Sequence, residues 1–314
     1  MKILSWTGRE DIAMVYIAEF EDGKRVEFVE SVQPPLPREK KWVLIVSTLF
    51  GCPVGCKMCD AGIDFKGKLS EREIFSQIDF LIRKRFKNNS IPVEKFKIQF
   101  ARMGEPTLNP SVLDVLEKLP ERYKAPGLIP SLSTVAPKGC EEFFERLVEI
   151  KKRLYRDGHF QLQFSIHSTD EKTREWLIPI KKWSLAQIGD YGERFYEKGD
   201  RKLTLNFALA EEVKVEPEVL LKYFDPKLFL VKITPLNPTY QAKRHGLESY
   251  LEPMNQEKKY NLIEDLKDVG YQVIVSIGEL EENKIGSNCG QYLTRHLKEK
   301  ERLREGYTYQ IVGG

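Results

Sequence analysis

The 314-residue sequence contains no apolar segment long enough to span a membrane, and no apolar signal region follows Met1. It also carries little net charge, because 50 Lys and Arg residues stand against 47 Asp and Glu residues, a balance of +3. We therefore expect no membrane partner, and any basic surface for nucleic acid must be local. Internal repeats are absent too. The length then predicts one large α/β domain or two smaller ones.

Cysteine is also scarce, and its placement is informative. Three of the five cysteines, Cys52, Cys56 and Cys59, share one short segment after an apolar run. Such clustering suits a metal site in a reducing cytoplasm better than a disulfide framework. Thiols in CxxxCxxC spacing can bind three corners of a cubic iron–sulfur cluster and leave the fourth iron open to a substrate. Zinc and buried structural thiols are the alternatives, although a closed zinc site needs a fourth ligand.

The order of strand-like and helix-like segments predicts the architecture. Two alternating segments, 14–20 and 25–29, flank Asp22-Gly23, which is a strong hairpin signal. After residue 40, apolar strands alternate with amphipathic helices, which predicts a parallel sheet with functional loops at the carboxyl ends of its strands.

The cysteine spacing resembles the signature of the radical S-adenosylmethionine superfamily. The flanking sequence from Val46 to Gly62 is similar to that of the RlmN/Cfr family of RNA adenosine methyltransferases. The resemblance implies an α/β fold with a partial (β/α)6 barrel at 39–280, preceded by a small β-hairpin extension at 1–38. A C-terminal Cys loop and helical tail would occupy 281–314. It also implies a [4Fe–4S] cluster on the three cysteines and S-adenosylmethionine at the open iron.

The same resemblance implies a set of residues that contact S-adenosylmethionine. Gly104 and Glu105 form a Gly-Glu-Pro turn after a predicted strand, where the carboxylate would accept hydrogen bonds from the ammonium group. The remaining implied contacts follow later strands and are Ser133 for the carboxylate, Ser165 for the ribose, Ile166 and His167 next to it, and Asn237 for the adenine or a backbone group.

Two residues are implied to take part in the chemistry itself. Cys289, in a Cys-Gly-Gln element, matches the family's cysteine that receives a methyl group from one S-adenosylmethionine and whose methylated sulfur then donates hydrogen to the radical formed from a second. Glu27, on the second hairpin strand, matches the family's proton-accepting glutamate. An exposed strand carboxylate is the alternative interpretation of Glu27.

The sequence departs from the family pattern in two places. Only about a dozen residues precede the hairpin, where the family carries an accessory domain, and no cysteine precedes Cys52, where the family carries a resolving cysteine. Cys140 is the remaining thiol and is interpreted as a structural or surface cysteine. These departures bear on the RNA substrate and on the release of any Cys289 adduct.

The predicted function is therefore a cytoplasmic radical S-adenosylmethionine methyltransferase that modifies an sp² carbon through S-methylated Cys289. Its partners would be RNA or a smaller base-containing substrate and an electron donor such as flavodoxin or ferredoxin. Two alternatives stay open. One is a radical enzyme for a small molecule, nucleotide or peptide, and the other is a non-catalytic iron–sulfur protein that binds RNA or senses redox state.

Overall fold

The computed structural model describes residues 1–62, 64–251, 261–277, 280–287 and 308–313. The strands in these ranges are β1 (Lys2–Arg9), β2 (Ala13–Glu19), β3 (Arg25–Ser31), β4 (Lys41–Val46), β5 (Leu49–Phe50), β6 (Gly67–Lys68), β7 (Lys95–Phe100), β8 (Leu128–Thr134), β9 (Gln161–Ser165), β10 (Leu203–Leu209), β11 (Phe229–Pro235) and β12 (Val273–Val275). The helices are α1 (Glu71–Arg85), α2 (Ser111–Arg122), α3 (Glu141–Leu154), α4 (Glu171–Leu177), α5 (Leu185–Phe195), α6 (Pro217–Tyr223), α7 (Tyr240–Arg244), α8 (Asn261–Asp268) and α9 (Leu280–Ile285).

One ten-stranded sheet organises the described residues, in the order β1-β2-β3-β4-β7-β8-β9-β10-β11-β12. The first four strands are antiparallel neighbours, and from β4 to β12 every pair is parallel. Within the described ranges β1 and β12 remain edge strands, so the barrel is partial. This confirms the predicted fold class. None of the described helices is both long and apolar enough to cross a membrane.

The antiparallel part is larger than the predicted hairpin. The Asp22-Gly23 turn does join β2 and β3, but β1 adds a third strand that the sequence did not predict. Its inward positions are occupied by Ser5 and Thr7, which are fully buried hydroxyl residues. Because these positions are polar, β1 lacks the alternating hydropathy by which a strand is recognised.

The parallel strands have one apolar face and one polar face. Alternate residues pack against the helices, as Phe164 does against Phe144 of α3 (6.4 Å between ring centroids). The opposite face lines the interior of the partial barrel and carries partly exposed polar residues such as Gln99 and Gln163. This interior face leads to the carboxyl ends of the strands, where the predicted site lies.

Helix α1 follows the cysteine segment and begins as predicted. Ser70 and Glu73 form a reciprocal capping box, in which Glu73 N donates to Ser70 Oγ (3.3 Å) and Ser70 N donates to the Glu73 carboxylate (2.7 Å). The cap fixes where the loop ends and the first helix starts.

Candidate active site

The three clustered cysteines lie on a loop that leaves the carboxyl end of the sheet. Cys52, Cys56 and Cys59 form no disulfide among the described residues and are partly buried, between β5 and a 3₁₀ helix at Asp60–Gly62. The loop turns at Gly51, which has a φ of +78°, and a Cβ there would lie 2.6 Å from a backbone oxygen. A side chain at this position would push the loop away from its neighbour.

The cysteine loop is fastened to the segment that follows β11. The buried Asp60 carboxylate accepts hydrogen bonds from Tyr240 N (3.1 Å) and Gln241 N (2.8 Å) at the start of α7. In addition, Thr239 Oγ1 donates to Met58 O (2.9 Å). The loop and the neighbourhood of Asn237 are therefore held together, although they are far apart in sequence.

Burial raises the pKa of two of the three clustered thiols. It raises the pKa of Cys52 to about 11, with a further contribution from the Glu105 charge, and it raises the pKa of Cys56 even more strongly. A cation that binds these sulfurs must therefore displace protons that the burial favours.

The donor set fits an iron–sulfur cluster better than a mononuclear ion. No three His, Cys, Asp or Glu side chains in the described residues are grouped so as to hold one metal ion. A single zinc with Zn–S bonds of about 2.3 Å would require sulfurs under about 4 Å apart. A cubic cluster binds each thiolate at a different corner and keeps the sulfurs farther apart.

The Gly-Glu-Pro turn lies against the cysteine loop. Gly104 has a φ of +101°, and a Cβ there would be 2.5 Å from the Leu49 side chain. The buried Glu105 carboxylate accepts from Thr107 Oγ1 (2.8 Å) and Val135 N (2.9 Å), and burial raises its pKa. These bonds orient Glu105, and its role toward a ligand ammonium group stays a prediction.

The predicted Ser133 and Ser165 lie on the neighbouring strands β8 and β9, and Ser133 is contacted by Gln163, which was not predicted. Gln163 Nε2 donates to Ser133 Oγ (3.2 Å), and Ser165 is partly exposed at the end of β9. The Ile166 side chain is fully buried, so this residue can offer a ligand only its backbone.

His167 follows in the left-handed region, with a φ of +62°. Its Nδ1 accepts a hydrogen bond from Ala208 N (3.0 Å), and burial lowers its pKa to about 4, with a smaller effect from the Arg174 charge. The imidazole is therefore neutral at physiological pH, and Nδ1 is occupied by the backbone.

Two buried side chains near these residues have polar atoms without partners in the part of the chain that the structure describes. They are Asn206 Oδ1 on β10 and Arg174 Nε and Nη2 on α4, whereas Arg174 Nη1 donates to Trp183 O (2.8 Å). A buried donor or acceptor without a partner is costly. Both groups therefore suit a ligand that carries acceptors and donors. No role for Asn206 could be predicted from the sequence, since a single polar residue inside a strand belongs to no motif.

Glu27 is not the exposed strand carboxylate that was the alternative interpretation. It is fully buried, and Arg102 Nε lies 2.8 Å from its Oε1. The same guanidinium donates to Ser287 O (2.6 Å) and Gly286 O (2.7 Å). Arg102 thus joins the N-terminal strands to the chain that leads to Cys289, a link that sequence reasoning missed because the two contacts span 75 and 185 residues.

Cys289 lies outside the described residues, so the structure does not test its predicted role.

Asn237 is partly buried just after β11, and Thr239 N donates to its carbonyl (2.8 Å). Cys140 is buried at the start of α3, with Thr107 and Glu105 as neighbours, and burial raises its pKa.

Comparison with known proteins places the chain in a family. No protein-family model matches it. A solved radical SAM methyltransferase from Sphaerobacter thermophilus superposes with a TM-score of 0.70 at 19% identity, over 93% of this chain and 81% of that one. The open barrel with a three-cysteine loop at the carboxyl edge of its parallel strands is thus a radical S-adenosylmethionine fold.

Sequence relatives narrow this class. A probable dual-specificity RNA methyltransferase RlmN from Thermus thermophilus is 27% identical over 90% of this chain and 74% of its own length. Another from Prochlorococcus marinus is 31% identical over 86% of this chain and 74% of its own length. The chain belongs to the RlmN family, and its match spans about three quarters of these relatives.

Proposed function

We propose that this protein is a radical S-adenosylmethionine methyltransferase that methylates an sp² carbon of an RNA adenosine. The observation that carries the proposal is the three-thiol loop, which lies beside the Gly-Glu-Pro turn at the carboxyl edge of the parallel strands, in a chain that belongs to the RlmN family. Ordinary polar methyl donation does not reach an electrophilic aromatic carbon, which is the chemical reason for a radical route.

Cys52, Cys56 and Cys59 would hold a [4Fe–4S] cluster, which supplies the electron that cleaves bound S-adenosylmethionine. The chain itself binds and orients that molecule. Glu105 would accept from its ammonium group, while the hydroxyls of Ser133 and Ser165 reach its carboxylate and ribose.

His167 and Asn237 would border the same molecule. Because His167 is neutral and its Nδ1 is occupied, it would offer the remaining ring nitrogen to the ligand. The two buried nitrogens Nε and Nη2 of Arg174 would suit the carboxylate of the ligand, since a guanidinium pairs well with that group.

Methyl transfer would proceed through Cys289. Its sulfur would take the methyl group from one S-adenosylmethionine, with S-adenosylhomocysteine as the leaving molecule, before the methyl carbon is passed to the substrate. Glu27 would hold the proton that the methylated base releases. Its support is its burial against Arg102, which also holds the segment two residues before Cys289.

Release of the product needs a group other than an upstream cysteine. No cysteine precedes Cys52 in the sequence. Cys140 is buried and its pKa is raised, so its thiol is poorly suited to attack an adduct on Cys289. Breaking the bond between the Cys289 sulfur and the transferred carbon to leave a methyl group consumes two electrons and two protons, so we propose that a flavodoxin- or ferredoxin-type donor supplies the electrons and that Glu27 handles a proton. We also propose a flavodoxin- or ferredoxin-type electron donor and a cytoplasmic location, which suits cysteines that form no disulfide among the described residues.

The test is anaerobic reconstitution, followed by reduction in the presence of methyl-labelled S-adenosylmethionine and unmodified RNA. We expect 5′-deoxyadenosine, a methyl group on the peptide that contains Cys289, and label in RNA adenosine. A Cys289→Ala variant should still cleave S-adenosylmethionine but leave RNA unlabelled. Absence of 5′-deoxyadenosine from cluster-loaded protein would refute radical chemistry. Label in a free nucleotide but not in RNA would move the substrate to the small-molecule class.

A further inference from the structure

Trp176 is a large apolar side chain that the fold leaves in contact with solvent. It lies near the end of α4 and is 45% exposed. Its ring meets the ring of His245, which follows α7, at 5.9 Å between centroids and at a steep angle of 82°. A single exposed indole is ordinary on a protein surface, so its surroundings decide whether it has a partner.

The backbone of the cysteine loop adjoins Trp176. The next residue, Leu177, accepts a hydrogen bond at its carbonyl from Lys57 N (2.9 Å), and Lys57 directly follows Cys56 in the chain. The side chains of Leu177 and Cys56 also belong to one apolar cluster. Trp176 is therefore joined to a predicted ligand of the iron–sulfur cluster by one hydrogen bond and a short run of covalent bonds.

Positive charge surrounds the two rings. Lys172 precedes Trp176 by four residues on α4, so the two exposed side chains lie on one face of the helix. Burial lowers the pKa of His245, and the charges of Lys57 and Arg244 lower it further, so both cations are close to its ring. Neither Lys57 nor Lys172 forms an ion pair within the described ranges. We call Lys57, Lys172, Trp176 and His245 the Trp176 patch.

Acidic residues also occur on α4, but they lie to one side of the patch. Glu171 and Glu175 are one turn apart on a helix face rotated by about 100° from that of the patch. The charges of both act on Lys182, which follows the helix. Asp170 accepts a hydrogen bond from Thr173 N (2.8 Å) and caps the helix. The patch thus keeps cations that an acidic partner would pair with.

The position of the patch favours an electron carrier over the RNA substrate. Glu27 and the segment before Cys289, which are predicted to act on the substrate, are joined by Arg102 beside β3 and β7. The patch instead belongs to the cysteine loop and to the connections that follow β9 and β11. Because electron transfer slows steeply with distance, a carrier must approach the cluster ligands, whereas it has no need to contact the substrate.

We propose that the Trp176 patch docks a small acidic protein that carries single electrons and delivers them to the cluster on the cysteine loop. The carrier is oxidised by one electron and the cluster is reduced by one electron, with no proton or group transferred. Electron-transfer encounters bury less than about 1,200 Å², so one exposed Trp with flanking cations is an adequate anchor. Opposite charges steer the encounter, and salt weakens it. The proposal rests on the proposed function, since it names the surface at which that function receives its electrons.

Binding of oxidised flavodoxin, an acidic carrier, measures docking without catalysis. Calorimetric titration of the cluster-loaded protein at low ionic strength should give saturable binding that weakens as sodium chloride is added. Trp176→Ala and Lys57→Gln should each weaken that binding at least about fivefold, with an unchanged iron content.

The matched controls are Trp6→Ala on edge strand β1 and Lys87→Gln between α1 and β7. Both residues are exposed, and both variants should bind flavodoxin as the unmodified protein does. No saturable binding, or unchanged binding in both patch variants, would overturn the proposal.

A comparison of two reductants separates docking from damage to the cysteine loop. With flavodoxin and its reductase, both patch variants should raise the KM for flavodoxin in the formation of 5′-deoxyadenosine. With dithionite, they should form 5′-deoxyadenosine as fast as the unmodified protein. An equal fall with both reductants would refute a docking role.

RNA is the competing partner for this surface. Weaker binding of RNA by the patch variants, with unchanged binding of flavodoxin, would assign the patch to RNA and overturn the proposal. If dithionite gives no 5′-deoxyadenosine with the unmodified protein, the proposed function fails, while the calorimetric titration still decides whether the patch binds flavodoxin.

Discussion

The ion pair between Glu27 and Arg102 predicts strong energetic coupling between the N-terminal strands and the barrel. Both side chains are almost completely buried (0% and 1% exposed), with 2.8 Å between Oε1 and Nε. Removing one partner of a buried pair costs about 3–5 kcal/mol, because the other charge is left without compensation. Arg102→Met also removes two charge-assisted bonds to carbonyls, so we expect its cost at the upper end of that range.

The double variant separates this coupling from the loss of the individual side chains. Glu27→Gln combined with Arg102→Met buries no charge, so its cost should fall short of the sum of the single variants by about 2 kcal/mol. The measurement is anaerobic urea unfolding of the cluster-loaded protein followed by circular dichroism. The control is Arg122→Met, which breaks a more exposed pair with Asp79 and should cost less than about 1 kcal/mol. A coupling below about 0.5 kcal/mol would refute the reasoning.

Arg102→Met should also affect the methylation of Cys289 and the formation of 5′-deoxyadenosine to different extents. Arg102 holds the carbonyls of Gly286 and Ser287, which lead to Cys289, but its contacts include none of the cluster cysteines. Arg102→Met should therefore lower methylation of Cys289 more than it lowers the yield of 5′-deoxyadenosine, and Arg102→Lys should restore part of that methylation. Mass spectrometry and chromatography of the same reaction measure both, and an equal fall in the two would count against a positioning role.

Three further results are expected. Cys52→Ser should abolish the brown colour and the content of roughly four irons, whereas Cys140→Ser should keep both, as iron analysis would show. Gly104→Ala should destabilise the protein far more than Gly23→Ala. Both glycines have a positive φ, but only a Cβ at position 104 would meet a neighbour, at 2.5 Å. Equal melting temperatures of the two variants in thermal unfolding would show that this close approach is unimportant. As the pH falls from about 6.5 to about 4, His167 takes up a proton in the unfolded chain before it does so in the folded protein, so the free energy of unfolding should decline by up to about 3 kcal/mol. The urea midpoint of His167→Gln should decline less steeply over this pH range. Parallel midpoint curves for the two proteins would contradict this prediction.

The sequence predicts the parts of this fold that depend on local patterns. The Asp22-Gly23 hairpin, the capping box at Ser70 and the strand at Leu203–Leu209 follow from turn chemistry and hydropathy, and all three are present. The cysteine loop is also predictable, since its spacing is a local property. Strand β1 was missed because its buried hydroxyl positions carry no local signal.

Long-range contacts are what the sequence could not supply. Arg102 lies two residues before Gly104 of the predicted Gly-Glu-Pro turn, yet its partners are known only once β3, β7 and the end of α9 are brought together. Likewise, Lys97 on β7 and Lys232 on β11 resemble solvent-exposed strand residues in the sequence, but both are partly buried in the structure. Charge placed inside a fold depends on topology, so it escapes a reading based on composition and spacing.

The chain ends contribute to the organisation of the site. Trp6 on β1 pairs with Val312 through two backbone bonds (3.0 and 2.9 Å), and α9 packs against β1 and β2. The N-terminal strands therefore form one continuous sheet with the barrel and contact the C-terminal segment as well. Since Glu27 lies on these strands and Arg102 links it to Ser287, a change at either end should reach the site through a buried charge rather than a flexible tether. Arg102 thus joins the predicted proton acceptor to the segment that precedes the predicted methyl carrier, although the two are far apart in the sequence.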